Sequence, residues 1–248
     1  MSKKKVLCVI PARLGSTRLP LKMLKSIDGK PLIYYTWKQA MKAKLPDAVV
    51  VATDSKEIME AVTKFGGTAM MSPSTIKCGS DRTAYVAKRF KAFKPDIVIN
   101  LQGDEPLIPP AAIDKTIDLL LKDSKLVMST VGTPFINDAD RLSPNFVKVV
   151  TDKNGMALYF CRSLMPYPRT PFNKHIKHLG LYGYRADFLQ KYVTLKQTPL
   201  EKIELLEQLR ALENGYGIKV GIGKYHQLEV NTQDEFDRVK ALIEGKKK

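Results

Sequence analysis

Three short apolar runs separated by helical patterns constrain this chain more than any other feature: Val6–Ile10, Ala48–Thr53 and Asp96–Leu101. Each is too short for a core helix, and Val and Ile dominate them, as expected of strands buried on both faces. Between them, apolar residues recur at helical spacing over Lys30–Lys42, Lys56–Phe65 and Asp81–Phe93. Strand, helix, strand, helix, strand implies right-handed crossovers and a mostly parallel sheet covered by helices. Gly66 and Gly67 end the second helix, where glycine accepts the left-handed cap conformation.

After about residue 125 the pattern becomes extended: Lys125–Thr133, Phe146–Thr151, Met156–Arg162 and Lys177–Arg185. Asp152-Lys153-Asn154-Gly155 joins two of these runs, and Asn-Gly predicts a hairpin turn with positive φ at both residues. A helix is expected over Pro199–Asn214, opened by Thr198-Pro199-Leu200-Glu201 and burying Leu200, Ile203, Leu206 and Leu209. A last helix starts near Asn231-Thr232 and runs to about Gly245, with Asn231 as a good N-cap and Asp234 in its first turn. The expectation is one α/β domain, 1–248, with an antiparallel insertion at about 125–195.

Composition narrows the function classes. Hydrophobic residues are 44% and charged residues 27% of 248, which excludes a disordered or fibrous chain. No apolar run approaches the roughly 18 residues of a membrane span, and Val6–Ile10 is too short for a signal-peptide core. Three scattered cysteines, Cys8, Cys78 and Cys161, make neither a disulfide framework nor a four-cysteine zinc site, so the cytoplasm is the expected compartment. The net charge of +16 points to anionic partners. Six of the 41 basic residues are Lys3, Lys4, Lys5, Lys246, Lys247 and Lys248, however, and the others are dispersed. No helix with clustered Arg and Lys, zinc finger or RNA-binding aromatic strand supports nucleic acid as the partner.

The glycine motifs of dinucleotide oxidoreductases, P-loop ATPases and α/β-hydrolases are absent. Positive signals lie where the parallel strands end. Pro11-Ala12-Arg13-Leu14-Gly15-Ser16-Thr17-Arg18-Leu19-Pro20-Leu21-Lys22 follows the first strand and combines guanidinium, ammonium, hydroxyl and backbone donors suited to phosphate. Taken alone it reads equally as a solvated basic loop. Asn100-Leu101-Gln102-Gly103-Asp104-Glu105-Pro106 ends the third parallel strand, and Asp104 is placed to hold Mg²⁺ together with phosphate oxygens and water. In Lys177–Arg185, strand geometry puts His178, Gly180, Tyr182 and Tyr184 on one face. That face suits a sugar-like ligand, or is simply an aromatic half-buried strand. Glu204, Glu207 and Gln208 would share a helix face.

These stretches occur together and in order, and the chain resembles the 3-deoxy-manno-octulosonate (Kdo) cytidylyltransferases. The matching stretches are IPARLGSTRLPLK, CGSDRTAYVA, NLQGDEPLIPP, NFVKVV, ALYFCRSLMPY, HLGLYGYR and PLEKIELLEQLRAL. The resemblance implies a Rossmann-like nucleotidyltransferase fold whose antiparallel insertion supplies a homodimer contact. It implies Mg²⁺-dependent transfer of CMP from CTP to Kdo, or to a close 3-deoxy sugar acid such as 8-amino-Kdo, for lipopolysaccharide synthesis. By this resemblance Arg13 and Lys22 grip the CTP phosphates with Ser16 and Arg18 nearby, and Arg82 and Gln102 line the pocket. Asp104 holds the metal. Arg162, His178, Tyr182, Tyr184, Glu207 and Gln208 surround the sugar acid, along with Gln102.

The chain departs from the family pattern in two places. STRLPGKPL becomes STRLPLKML, which puts Leu21 where the family has glycine and Met23 where it has proline. V-D-T-P-E-D-L becomes Val230-Asn231-Thr232-Gln233-Asp234-Glu235-Phe236, so Asn231 replaces a second metal-ligand aspartate. A neutral amide oxygen binds a hard cation more weakly than a carboxylate. The alternative is therefore a CTP-binding relative with reduced or lost turnover.

Overall fold

A computed structural model describes residues 3–15, 18–172 and 174–245. The chain divides into two compact units, Met1–Asp114 with His226–Lys248, and Lys115–Tyr225.

The first unit holds β1 (Val6–Ala12), β2 (Ser26–Ile27), β3 (Lys30–Pro31), β4 (Ala48–Thr53), β5 (Thr68–Met71) and β6 (Ile97–Leu101). β6, β1, β4 and β5 lie side by side in that order, all parallel. The apolar runs explain this arrangement: every residue of β1 and β6 is buried. Each fully buried Val, Leu or Ile contributes about 1.5–3 kcal/mol. Helices α1 (Leu32–Lys42), α2 (Lys56–Lys64) and α3 (Gly79–Arg89) follow their strands as crossovers. Ser55 caps α2, its Oγ accepting from Ile58 N at 3.1 Å. Gly66, at φ +84°, ends that helix as expected.

Helix α1 starts two residues later than expected, because Lys30–Pro31 pairs with Ser26–Ile27. Asp28 and Gly29 turn this small hairpin with positive φ at both positions (46° and 70°), the geometry of a tight two-residue turn. The C-terminal helix spans Gln233–Ile243. Its N-cap is Thr232, not Asn231: Thr232 Oγ1 accepts from Glu235 N, and Glu235 Oε2 accepts from Thr232 N. Asp234 sits in the first turn, where the helix dipole favours it.

The second unit holds β7 (Met128–Pro134), β8 (Lys148–Thr151), β9 (Ala157–Cys161), β10 (Ile176–Arg185) and β11 (Ile218–Ile222). β7 lies between β11, parallel to it, and β10, antiparallel to it. β8 pairs antiparallel with both β10 and β9. The expected extended runs are therefore strands, with ends shifted by up to three residues. The β8–β9 turn differs from expectation: only Gly155 takes positive φ (76°). Asp152 accounts for it, since its Oδ1 accepts from both Asn154 N and Met156 N at 2.8 Å and fixes a longer loop. The expected helix over Pro199–Asn214 is broken into Pro199–Glu204 and Leu209–Glu213. Leu205 adopts a left-handed conformation (φ 54°), which ends the first piece. Glu204, Glu207 and Gln208 therefore share no helix face. Leu200 and Ile203 are 37% and 76% exposed rather than buried, while Leu206 and Leu209 are buried.

Candidate active site

In the first unit, the loops after β1, β4, β5 and β6 all leave from the carboxyl ends of parallel strands, the usual ligand side of an open α/β sheet. After β1 the chain runs through Arg13 to a short turn of 3-10 helix, Lys22–Leu24. Leu21, where the family pattern has glycine, stands at φ 53° and ψ 26°. That left-handed conformation aims Lys22 inward, so Lys22 is buried although its neighbour Leu21 is exposed.

The Lys22 ammonium gathers oxygens from distant parts of the sequence. Its Nζ donates to Asp104 Oδ2 at 2.6 Å and to Val230 O at 2.7 Å, and stands 3.5 Å from Asn231 Oδ1. Arg18 Nη2 donates to the same amide oxygen at 2.9 Å. Val230 N donates to Asp104 O at 3.0 Å, which clips the 227–231 segment onto the Asp104 turn. Gln227 Nε2 adds bonds to both oxygens of buried Glu105. Gly103 makes the turn possible, since a Cβ there would lie 3.0 Å from Pro11 O. Thr36 Oγ1 fixes the Gly103 carbonyl at 2.8 Å.

Sequence reasoning missed Glu229 here. Crowding by the surrounding protein and the Asp104 charge raise its carboxyl pKa, while a hydrogen bond with Asn231 and the Lys22 charge pull it down. Its spacing from Asn231 was the available signal, because in extended chain residues two apart share a face. The cluster therefore offers a carboxylate, a main-chain carbonyl and an amide oxygen, with a second carboxylate alongside. Those hard oxygens suit a divalent cation such as Mg²⁺, and the ammonium among them is a stand-in cation. Among the described residues, no three His, Cys, Asp or Glu side chains gather at one point. Phosphate oxygens and water would complete the coordination.

Arg82 and Gln102 occupy different settings. Arg82 is buried, and its guanidinium joins Asp54 Oδ2 (2.8 Å), Ile76 O (2.9 Å) and Ser72 Oγ, tying the loops after β4 and β5 to α3. Gln102 Nε2 reaches Asn100 Oδ1 at 3.4 Å, and its amide lies 3.4 Å from where a Cβ on Gly79 would stand. Arg13 is exposed, with one long contact to Lys77 O at 3.5 Å. Ser16 lies outside the described residues.

In the second unit, three rings of β10 join Phe160 of β9 and Tyr192 in a row. Phe160, His178, Tyr182, Tyr184 and Tyr192 follow one another with centroids 4.9, 5.3, 6.2 and 5.6 Å apart. The expected common face of His178, Tyr182 and Tyr184 is thus present, across a bulge at Gly180-Leu181. His178 Nε2 lies 2.9 Å from Thr130 Oγ1, and burial pushes the imidazole pKa down to about 3.

Arg162 spends its donors locally: Nε to Glu204 O at 2.9 Å and Nη1 to Pro144 O at 3.1 Å. Its backbone is held by Lys148, a fully buried lysine whose Nζ donates to Arg162 O and Ser143 O at 2.8 and 2.6 Å. The lysine inside the apolar run Phe146–Val150 was the overlooked signal. Gln208 is buried and its Nε2 has no hydrogen-bond partner. Such an orphan donor costs about 1–3 kcal/mol unless a ligand satisfies it. Glu207 is anchored through its carbonyl, which accepts from Tyr192 Oη at 2.7 Å.

Residues 7–222 match the protein family described as Cytidylyltransferase. A 3-deoxy-manno-octulosonate cytidylyltransferase of Chloroherpeton thalassium is 46% identical over 248 residues, covering 98% of this chain and all of that one. Another from Fusobacterium nucleatum is 44% identical, covering 95% of each chain. Among solved structures, a CMP:2-keto-3-deoxy-manno-octonic acid synthetase complexed with CTP superposes with a TM-score of 0.92 at 37% identity, covering 98% of this chain and 100% of that one.

Proposed function

Because the chain belongs to the 3-deoxy-manno-octulosonate cytidylyltransferase family, we propose that it transfers CMP from CTP to the anomeric hydroxyl of Kdo or a close 3-deoxy sugar acid such as 8-amino-Kdo. In this reaction the hydroxyl oxygen bonds to the α-phosphorus, the bond to the β-phosphate breaks, and pyrophosphate leaves. The CMP-sugar would serve lipopolysaccharide synthesis, in a cytoplasm where the thiols of Cys8, Cys78 and Cys161 stay reduced.

The observation that carries the proposal is the grouping of Lys22, Arg18, Asp104 and Asn231 at the carboxyl ends of β1 and β6. Phosphoryl transfer needs alignment and charge neutralisation more than a covalent nucleophile. Arg13, Arg18 and Lys22 would supply cationic donors to the triphosphate, with Ser16 beside them. Asp104 and Asn231 would hold Mg²⁺, whose chemistry when bound is to neutralise phosphate charge and the departing pyrophosphate. Arg82 would shape the nucleotide pocket by holding the loops after β4 and β5, and Gln102 would face nucleotide and sugar. His178, Tyr182, Tyr184, Arg162, Glu207 and Gln208 would bind the sugar acid, and the unpaired Gln208 amide supports that role. The test is a coupled assay of pyrophosphate release with CTP, Mg²⁺ and each sugar acid.

A homodimer is part of the proposal. Leu158, Tyr167, Ile203 and Leu205, all of the second unit, are more than half exposed, an apolar excess that a second copy would cover. Sedimentation velocity would show a single dimeric species; a monomer at micromolar concentration would contradict it.

A second reading has one observation behind it. Asn231 gives the cation an uncharged oxygen that Arg18 already occupies, which fits a relative that binds CTP and turns over slowly or not at all. Calorimetric CTP binding without product would select this reading.

A further inference from the structure

We propose that Thr130 is a positioning residue that locks His178 in the Nε2–H tautomer, leaving a bare Nδ1 to accept a hydroxyl of the sugar acid. The proposal rests on the assignment of His178 to the acceptor site.

The lock begins in the sheet. β10 pairs with β7 through Leu179 opposite Val131 and resumes with Tyr182 opposite Thr130, so Gly180 and Leu181 bulge out of the ladder. The bulge brings the Leu181 carbonyl to the Thr130 hydroxyl. Thr130 is fully buried, and its Oγ1 lies 2.7 Å from Leu181 O and 2.9 Å from His178 Nε2.

Proton counting then fixes the tautomer. A hydroxyl has one hydrogen, and a carbonyl oxygen only accepts. If Thr130 donated to His178, two oxygen acceptors would face each other at 2.7 Å with no hydrogen between them. If Thr130 donates to Leu181 O, its lone pair accepts from His178 Nε2–H, and both contacts are hydrogen bonds. Only the second arrangement makes both Thr130 contacts hydrogen bonds, so the imidazole proton sits on Nε2.

Nδ1 is then an acceptor without a hydrogen-bond partner among the described residues, on a residue 7% exposed. The ring is packed between Phe160, T-shaped to it at 4.9 Å, and Tyr182, tilted at 5.3 Å. A bare nitrogen repels a carboxylate and welcomes an O–H donor. The assignment is therefore to a sugar hydroxyl, not to the acid group.

The test is ¹⁵N NMR of the imidazoles in histidine-labelled protein, of which there are three, with sugar-acid KM measured alongside. Wild type and Thr130→Ser should show His178 with hydrogen on Nε2 only. Thr130→Val should populate the Nδ1–H form and raise the sugar-acid KM about fivefold, the worth of one hydrogen bond, with the CTP KM unchanged. Hydrogen on Nδ1 in wild-type protein would overturn the lock, even if the Val variant failed to fold. An Nε2–H signal together with an unchanged sugar-acid KM in His178→Gln would instead overturn the acceptor assignment on which the proposal rests.

Discussion

Lys22 Nζ lies 2.6 Å from Asp104 Oδ2 across 82 residues of sequence, and it is the hub of the polar cluster in the first unit. The pair is largely shielded from water, with side chains 8% and 17% exposed. Replacing Lys22 by Met keeps the stem but leaves Asp104 uncompensated. The expected loss is on the order of 2 kcal/mol of stability, discounted from the cost of a fully buried pair. The same variant should lose at least about a hundredfold in kcat/KM for CTP. Urea unfolding and steady-state kinetics measure the two effects separately.

Asn231 stands where the family pattern has aspartate. Asn231→Asp adds a carboxylate beside Asp104, with Arg18 and Lys22 to balance it. The half-saturating Mg²⁺ concentration should fall about tenfold, as a charged oxygen replaces a neutral one. Mn²⁺ binding followed by electron paramagnetic resonance reads this independently of turnover. An unchanged affinity would remove Asn231 from the metal set.

Leu21 holds a left-handed conformation that glycine adopts freely, and the residue is 53% exposed. The conformation costs a residue with a Cβ roughly 1–2 kcal/mol, part of which glycine's chain entropy cancels. Leu21→Gly should therefore be neutral or stabilising by about 0.5–1 kcal/mol. Chemical denaturation is the check; a loss above that size would mean the leucine side chain contributes packing.

His178 gives a pH dependence. Its pKa falls from the ordinary 6.5 to about 3 on folding. Between those values the unfolded chain binds a proton that the folded chain does not, so stability drops as pH falls through 6.5 toward 3. At pH 5 the loss from this group is about 2 kcal/mol. Wild type should lose that much more than His178→Gln between pH 7.5 and 5 in unfolding experiments. Parallel curves would contradict a buried neutral imidazole.

The strands were legible because their apolar runs are short, rich in Val and Ile, and buried except at Ala48, so β4 has its expected bounds, and β1 and β6 lie within two residues of theirs. Local backbone choices were harder. Leu205 breaks a helix whose composition favours continuing, and a left-handed leucine has no signature in sequence. Asp28-Gly29 carried the tight-turn signal that Asn154-Gly155 was expected to show; there the Asp152 carboxylate imposes another loop. In the candidate site, loop chemistry pointed to Lys22 and Asp104 separately. Their closure with Val230 and Asn231 joins residues about two hundred positions apart, which no local pattern encodes. Lys148 was missed for a related reason: a charge in an extended run looks like surface until its neighbours are known.

The most direct measurement is pyrophosphate release by the purified protein with CTP, Mg²⁺ and Kdo, repeated with 8-amino-Kdo and with Mn²⁺. Release that requires both the nucleotide and a 3-deoxy sugar acid, and that Lys22→Met abolishes, is the expected result. No release with any 3-deoxy sugar acid under either metal, from protein that binds CTP, would contradict it.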